Sequence, residues 1–293
     1  MQKSTTLQIA LISGSVLLLV IMYAFGRTVP LEKKGEEEAT EQQMTEEVLL
    51  SEARNSLDSA KIAWLSELDK QKSQATTLEE EGQVLKLISK TWNEWGNFAA
   101  GAVYAAEVAK LLPSAESWSI TGTTYGIAFQ RNEDVVLKKF VARKAIHAFE
   151  QAASMEPDTL QHHINEALMH VELSSIDATV GPMIGIQKLL SLDKKFPDNI
   201  TISMVLGRLS LMRSGDVKKA IKRFEKVITI ADAQQNREDL LEAHFLLVEC
   251  YKQLNNSEKV LYHYNQCIVL TESDKPMQDD LINAKNEFEQ KNN

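Results

Sequence analysis

The chain has 293 residues, of which 44% are hydrophobic and only 12 are glycine and 6 are proline, a composition that favours a helical protein. Its formal net charge of −9 excludes the basic footprint that nucleic-acid phosphates require. We therefore expect no nucleic-acid partner, and no electrostatic docking to anionic lipid.

Residues 7–26 predict a single transmembrane anchor, after a short amino-terminal flank at residues 1–6. The run from Leu7 to Phe25 holds no charged residue, and at 1.5 Å per residue it would span roughly 28 Å, close to the hydrocarbon core of a bilayer. A cleaved signal peptide is the alternative, although the run exceeds the usual signal-peptide core. The flanking charges do not decide the orientation. We expect the remainder of the chain on the outer side of the membrane, which is the periplasm in a diderm bacterium.

The anchor is followed by an acidic linker and then by helical sequence. Residues 27–44 predict a solvated linker because they are rich in glutamate and poor in apolar residues. Residues 45–113 predict a helical cap or a divergent repeat. Apolar residues recur at helical spacing from Val48 to Leu68, and Thr77 with Glu80 resembles a capping box that opens the next helix.

The cap contains three tryptophans and a small-residue helix. We interpret the tryptophans as core residues rather than as a ligand platform: Trp64, Trp92 and Trp95. Gly96-Asn97 predicts the end of the second helix, and an alanine-rich third helix runs on to Pro113. Alanine allows close approach between helices. We therefore predict that this third helix is the second helix of an atypical first helix pair; below, the first helix of each pair is called the front helix and the second the back helix.

Residues 114–276 contain four copies of a two-helix pattern. Each second helix carries small or apolar residues at offsets 0, 4 and 7, counted from Ala145, Gly185, Ala220 and Val260. Those offsets lie on one face of a helix. A face repeated in this way cannot be buried by its own helix, so the pattern predicts stacked helix pairs.

The first copy is the clearest and carries the following residues: Trp118, Gly122, Tyr125, Ala145, Phe149, Ala152 and Pro157. Together the four copies resemble the tetratricopeptide repeat, a helix pair of about 34 residues. The resemblance implies an all-α protein, an α-solenoid of helix pairs preceded by the transmembrane anchor, with residues 277–293 as a carboxy-terminal capping helix.

The resemblance also implies a partner-binding surface, because the front helices of such proteins line a concave groove. Projection away from the packing stripe places the following residues there: His162, Asn165, Met169, Glu172, Met204, Arg208, Met212, Glu242, Phe245, Glu249 and Lys252. Methionine and phenylalanine beside charged groups suit an extended peptide or a protein tail. The predicted partners are therefore other proteins or peptides, and the lipid bilayer through residues 7–26.

The sequence offers little chemistry. His163, Glu166 and His170 could share one helix face, but we expect that face to be solvated and predict no metal ligands, no cofactor and no catalytic residues. Cys250 and Cys267 are expected to be buried free thiols, with a disulfide as the alternative in an oxidising compartment.

These observations predict a membrane-anchored scaffold or co-chaperone adaptor, acting in envelope protein maturation or complex assembly, that is not an enzyme. A structural module that forms homo-oligomers and tethers a membrane complex is one alternative. A metal-dependent enzyme built on the His163 face is the other.

Overall fold

The computed structural model describes residues 44–181 and 183–292. The predicted anchor at 7–26 and all but the last residue of the predicted linker lie outside those residues. Among the described helices, none has both the length and the apolar content that a bilayer crossing requires. The anchor and its orientation therefore stay predictions.

Thirteen α-helices make up the regular structure of the described residues. They are α1 Glu46–Asn55, α2 Ser59–Gln74, α3 Leu78–Glu94, α4 Phe98–Leu111, α5 Ala115–Arg131, α6 Val135–Met155, α7 Leu160–Ile176, α8 Ile184–Lys195, α9 Ile200–Met212, α10 Val217–Ala233, α11 Arg237–Gln253, α12 Ser257–Leu270 and α13 Lys275–Asn292. The chain divides after Ser56 into two compact units. The segment 45–113, predicted as one cap, therefore contributes to both units.

The first unit is described through α1. Thr45 caps this helix by accepting a hydrogen bond from the Val48 amide at 3.3 Å. Glu46 and Glu47 lie in the first turn and Arg54 in the last, which places each charge where the helix dipole favours it.

The second unit is a series of helical hairpins. Each helix from α2 to α13 contacts the next helix along the chain, and the front helices α9 and α11 also contact each other. This is the arrangement that the repeated apolar face requires, because every hairpin covers a face of its neighbour. The prediction of an all-α helical repeat is confirmed.

Small residues set the spacing inside the hairpins. A Cβ atom at Gly122 would lie 2.7 Å from the Phe149 ring, and one at Gly207 would lie 2.5 Å from the Phe224 ring. The same glycine–phenylalanine contact thus recurs in the first and third copies of the pattern. Because real Cβ atoms do not approach ring carbons this closely, both helix pairs depend on the missing side chain.

The run from Val48 to Leu68 forms two helices rather than one. The break falls before Asp58, which caps α2 by accepting a hydrogen bond from the Lys61 amide at 2.9 Å. The capping box at the start of α3 is confirmed. The Thr77 side chain accepts a hydrogen bond from the Glu80 amide, and the Glu80 side chain accepts one from the Thr77 amide.

The tryptophan prediction holds only in part. Trp92 is fully buried and meets the partly buried Trp95 edge to face, with ring centroids 5.6 Å apart. Trp64 is 51% exposed, so its interpretation as a core residue is wrong. The physical reason is that α2 packs mainly on α3 and buries Leu65 and Leu68, which leaves its other faces to solvent.

The carboxy-terminal helix α13 covers the last apolar face of the second unit. Leu281 and Phe288 pack against Val260 and Tyr264 of α12. In a repeat array such a helix takes the place of a following hairpin, because it covers the apolar face of the hairpin before it.

Candidate functional site

The sequence-predicted groove residues lie on the front helices α7, α9 and α11. The structure leaves eight of their side chains exposed or partly exposed: Asn165, Glu172, Arg208, Met212, Glu242, Phe245, Glu249 and Lys252. Met212 and Phe245 are the apolar members, with exposed fractions of 70% and 47%. Whether this surface binds a partner stays a prediction.

His162, Met169 and Met204 require a correction because all three are buried. Met204 belongs to the core formed between α9, α10 and α11, where no partner could reach it. The projection assumed one packing face for each front helix. Neighbouring front helices cover these methionines as well: Met204 packs with residues of α11, and the Met169 sulfur lies beside Gly126 of α5. A front helix therefore has a second buried stripe, which a single-face projection assigns to the groove.

The charged residues of this predicted surface pair across neighbouring helices. Arg213 at the end of α9 donates to Glu172 of α7 at 2.6 Å, and Arg208 of α9 pairs with Glu242 of α11. Lys252 donates to Glu249 within α11 at 2.9 Å. Because these charges already have partners, binding a charged ligand here would require an existing ion pair to open.

A different groove lies between the front helices α3 and α5. It encloses about 510 Å³, and α4 forms its floor. A cavity of about 500 Å³ continues it towards Glu79 and Glu116, sharing Lys86, Val108 and Ile120 with it. Together the two cavities, called the α3–α5 groove below, form a continuous channel wide enough for an extended chain segment.

Polar and basic side chains of α3 form one wall of the α3–α5 groove. Lys86 makes no ion pair with a described residue, while Lys90 lies 3.7 Å from Glu94. Asn93 Oδ1 is buried without a hydrogen-bond partner among the described residues. Gly101 of α4 makes room for it, because a Cβ atom there would collide with the Asn93 amide.

The floor and the opposite wall are largely apolar. Ala105 and Val108 of α4 form the floor. Ile120 of α5 forms the opposite wall, and 54% of its surface is exposed. The α3–α5 groove therefore combines an exposed apolar side chain with unpaired positive charge and an unsatisfied amide oxygen.

Sequence reasoning missed the α3–α5 groove because residues 45–113 were assigned to a cap. One signal was present. Lys86, Lys90 and Asn93 recur at helical spacing and form a polar stripe on the helix whose apolar stripe was recognised.

The structure divides the three residues of the predicted polar face: Glu166 and His170 lie close together, whereas His163 contacts the Pro157 carbonyl. His163 is partly exposed, and its Nε2 lies 2.9 Å from the Pro157 carbonyl. Glu166 is only 5% exposed, so the interpretation of the whole face as solvated is wrong. Glu166 faces the neighbouring helix α8, where it meets Lys188 at 2.5 Å.

The environment keeps Glu166 ionised. Burial raises the pKa of its carboxyl, but the His170 and Lys188 side chains outweigh that effect and hold the pKa below its ordinary value. The distance from His170 Nε2 to Glu166 Oε1 is 3.7 Å.

Cys250 and Cys267 are both buried free thiols, as expected. Burial raises the pKa of Cys250 to about 11 and that of Cys267 to about 12. Both are therefore protonated at neutral pH, and neither has the low pKa of a nucleophilic cysteine.

These features define the class of protein: an all-α helical repeat that resembles tetratricopeptide repeat proteins and carries grooves between its front helices. No family model and no curated protein matches the sequence.

Solved structures similar to this chain include tetratricopeptide repeat proteins. MamA from Desulfovibrio magneticus RS-1 is 13% identical, with 66% of this chain and 96% of that chain covered and a TM-score of 0.45. The thermophilic protein TTC0263 from Thermus thermophilus is 15% identical, with coverage of 69% and 98% and a TM-score of 0.46. A human IFIT1 dimer with m7Gppp-AAAA is 18% identical, with coverage of 66% and 47% and a TM-score of 0.39. These likenesses concern the fold alone.

Proposed function

We propose that this protein is a membrane-anchored, non-catalytic scaffold that holds an extended, acidic and partly apolar segment of a partner protein in the α3–α5 groove. The observation that carries the proposal is that Lys86, which makes no ion pair with a described residue, lies on one wall and exposed Ile120 on the other, while Lys90 beside it is held only by the exposed Glu94. An acidic residue of the partner would meet the lysines, and an apolar residue would cover Ile120.

The membrane anchor at residues 7–26 is part of the same proposal. It would hold the repeats near the membrane, on its outer side, where a scaffold for envelope protein maturation or complex assembly would work. Protease protection of intact and permeabilised cells tests the orientation, because repeats on the outer side are digested once the outer barrier is opened. Digestion only after the inner membrane is broken would refute it.

The groove is tested with synthetic peptides and the full-length chain in detergent. A fluorescent peptide that alternates glutamate with leucine is compared by fluorescence polarisation with one that alternates lysine with leucine. We expect the acidic peptide to bind at least tenfold more tightly, a difference of about 1.4 kcal/mol. Equal binding of both peptides would refute the proposal.

Charge reversal locates the binding site. Lys86→Glu together with Lys90→Glu should weaken the acidic peptide's binding by at least tenfold. Lys218→Glu with Lys222→Glu on the exposed side of α10 is the matched control and should leave binding within twofold. A Phe245→Ala variant tests whether the predicted surface of α7, α9 and α11 contributes to peptide binding. Light scattering of the same samples tests the alternative that the protein forms homo-oligomers.

A further inference from the structure

A second cluster of ligand-type side chains lies where α6, α7 and α8 meet, outside the α3–α5 groove. Glu150 of α6 and Glu166 and His170 of α7 each offer one ligand atom, and the three atoms lie within 4.8 Å of one another. Glu166 and His170 are one helical turn apart, so both project from one face of α7, and Glu150 approaches from the preceding helix. We propose that this cluster is a binding site for Zn²⁺ or a similar transition-metal ion.

The donor set suits such an ion. A neutral imidazole and carboxylates are ordinary zinc ligands, at about 2.0–2.2 Å from the metal. Two ligands of a tetrahedral ion therefore lie about 3.4 Å apart. The 3.7 Å from His170 Nε2 to Glu166 Oε1 is too long for a hydrogen bond but needs only a few tenths of an ångström to fit.

The imidazole of His170 is available to a cation. Its Nε2 atom lies 3.7 Å from Glu166 Oε1, beyond hydrogen-bond distance, and its Nδ1 atom is buried and makes no hydrogen bond with a described residue. In the neutral tautomer that carries its proton on Nδ1, the lone pair lies on Nε2, the ring nitrogen beside Glu166. A metal ion bound between them would take that lone pair.

Lys188 supplies the one described cation of the cluster. Its ammonium lies 2.5 Å from Glu166 Oε1, whereas its side chain is 42% exposed. Glu150 is exposed and has no ion pair with a described residue. The cluster therefore contains two carboxylates and one ammonium, and the ammonium can turn into solvent when a divalent ion takes its place. Metal binding and the Lys188 ion pair exclude each other.

This competition gives a specific test. Zinc binding to the full-length chain, purified without a histidine tag, is measured by isothermal titration calorimetry and by the zinc-dependent rise in melting temperature. We expect the unaltered chain to bind one Zn²⁺ at this site. Lys188→Gln should bind it about tenfold more tightly, because the competing charge is gone. A merely structural role for Lys188 would not tighten zinc binding.

Three further variants locate the ion. Glu166→Gln and His170→Gln should each abolish the zinc-dependent rise in melting temperature, and His170→Gln leaves the Glu166–Lys188 pair intact if Glu166→Gln fails to fold. His163→Gln, on the same helix but bonded to Pro157, is the control and should bind like the unaltered chain. Absence of zinc binding to the unaltered chain, or binding that persists in both Glu166→Gln and His170→Gln, would overturn the proposal.

Discussion

Gly122 and Gly126 lie one turn apart on α5 but in different surroundings. A Cβ atom at Gly122 would lie 2.7 to 2.9 Å from three atoms of the Phe149 ring, whereas one at Gly126 would meet only the Met169 sulfur at 3.7 Å. The first approach is a collision and the second is an ordinary van der Waals contact.

Alanine at these two positions should therefore change stability in opposite directions. Gly122→Ala is expected to lower the free energy of unfolding by about 1–3 kcal/mol, because the buried ring must move. Gly126→Ala should raise it by up to about 1 kcal/mol, because alanine favours the helix and meets no obstacle. Urea denaturation followed by circular dichroism measures both. A shift of the two urea midpoints in the same direction would show that the Phe149 contact does not disfavour alanine at position 122.

At the scale of single residues, the sequence predicted contacts that depend on a repeated small–large pair. Gly122 with Phe149 and Gly207 with Phe224 could be identified because the same pairing occurs twice at similar spacing. The burial of Met169 and Met204 could not be predicted in this way. Their exposure depends on a third helix, and helical periodicity describes only the helix to which a residue belongs.

The hairpin of α11 and α12 contains a buried pair of histidines. His244 Nδ1 and His263 Nδ1 are 2.9 Å apart, and Tyr251 stacks on His263 with ring centroids 5.4 Å apart. One imidazole must donate the hydrogen bond and the other accept it, so the pair cannot hold this bond when both rings are protonated. Burial, the neighbouring His244 and the charge of Lys259 lower the pKa of His263 to about 4, and burial lowers the pKa of His244.

This pair should make the protein less stable in mild acid. The unfolded chain protonates these histidines below about pH 6.5, whereas the folded chain resists protonation of His263 until about pH 4. Stability is therefore fully present above pH 6.5 and falls as the pH drops towards 4. Between pH 6.5 and pH 5 the loss from His263 alone is roughly 1–2 kcal/mol.

Urea midpoints at these two pH values, with m-values held constant, measure the loss. His263→Gln should flatten the dependence, while His147→Gln, at an exposed position on α6, should leave it unchanged. A dependence that survives in the His263→Gln variant would show that other groups cause it.

At the scale of elements, caps and breaks could be predicted from local rules, as at Thr77 and Gly96. The α3–α5 groove could not, because its width depends on how close α4 lies to α3. That distance is set by Gly101 against Asn93, a contact between two helices that no single helical pattern contains. The cluster of Glu150 with Glu166 and His170 was missed for the same reason, since Glu150 comes from the preceding helix.

For the whole molecule, the second compact unit should fold by itself. Each helix from α2 to α13 has contact partners within residues 57–293, and repeat arrays derive their stability from such neighbouring contacts. We expect a fragment of residues 57–293 to be soluble and strongly helical and to unfold cooperatively when its circular dichroism is followed on heating. A broad, gradual melt would show that this segment is not an independent folding unit.

The buried thiols at the carboxy-terminal end of the array have a further consequence. An alkylating reagent attacks the thiolate, and Cys250 and Cys267 expose no surface and resist ionisation. Labelling can therefore proceed only in those molecules whose last hairpin has momentarily separated. The two cysteines record each such local opening, so the rate at which an alkylating label accumulates measures how often this end of the array opens.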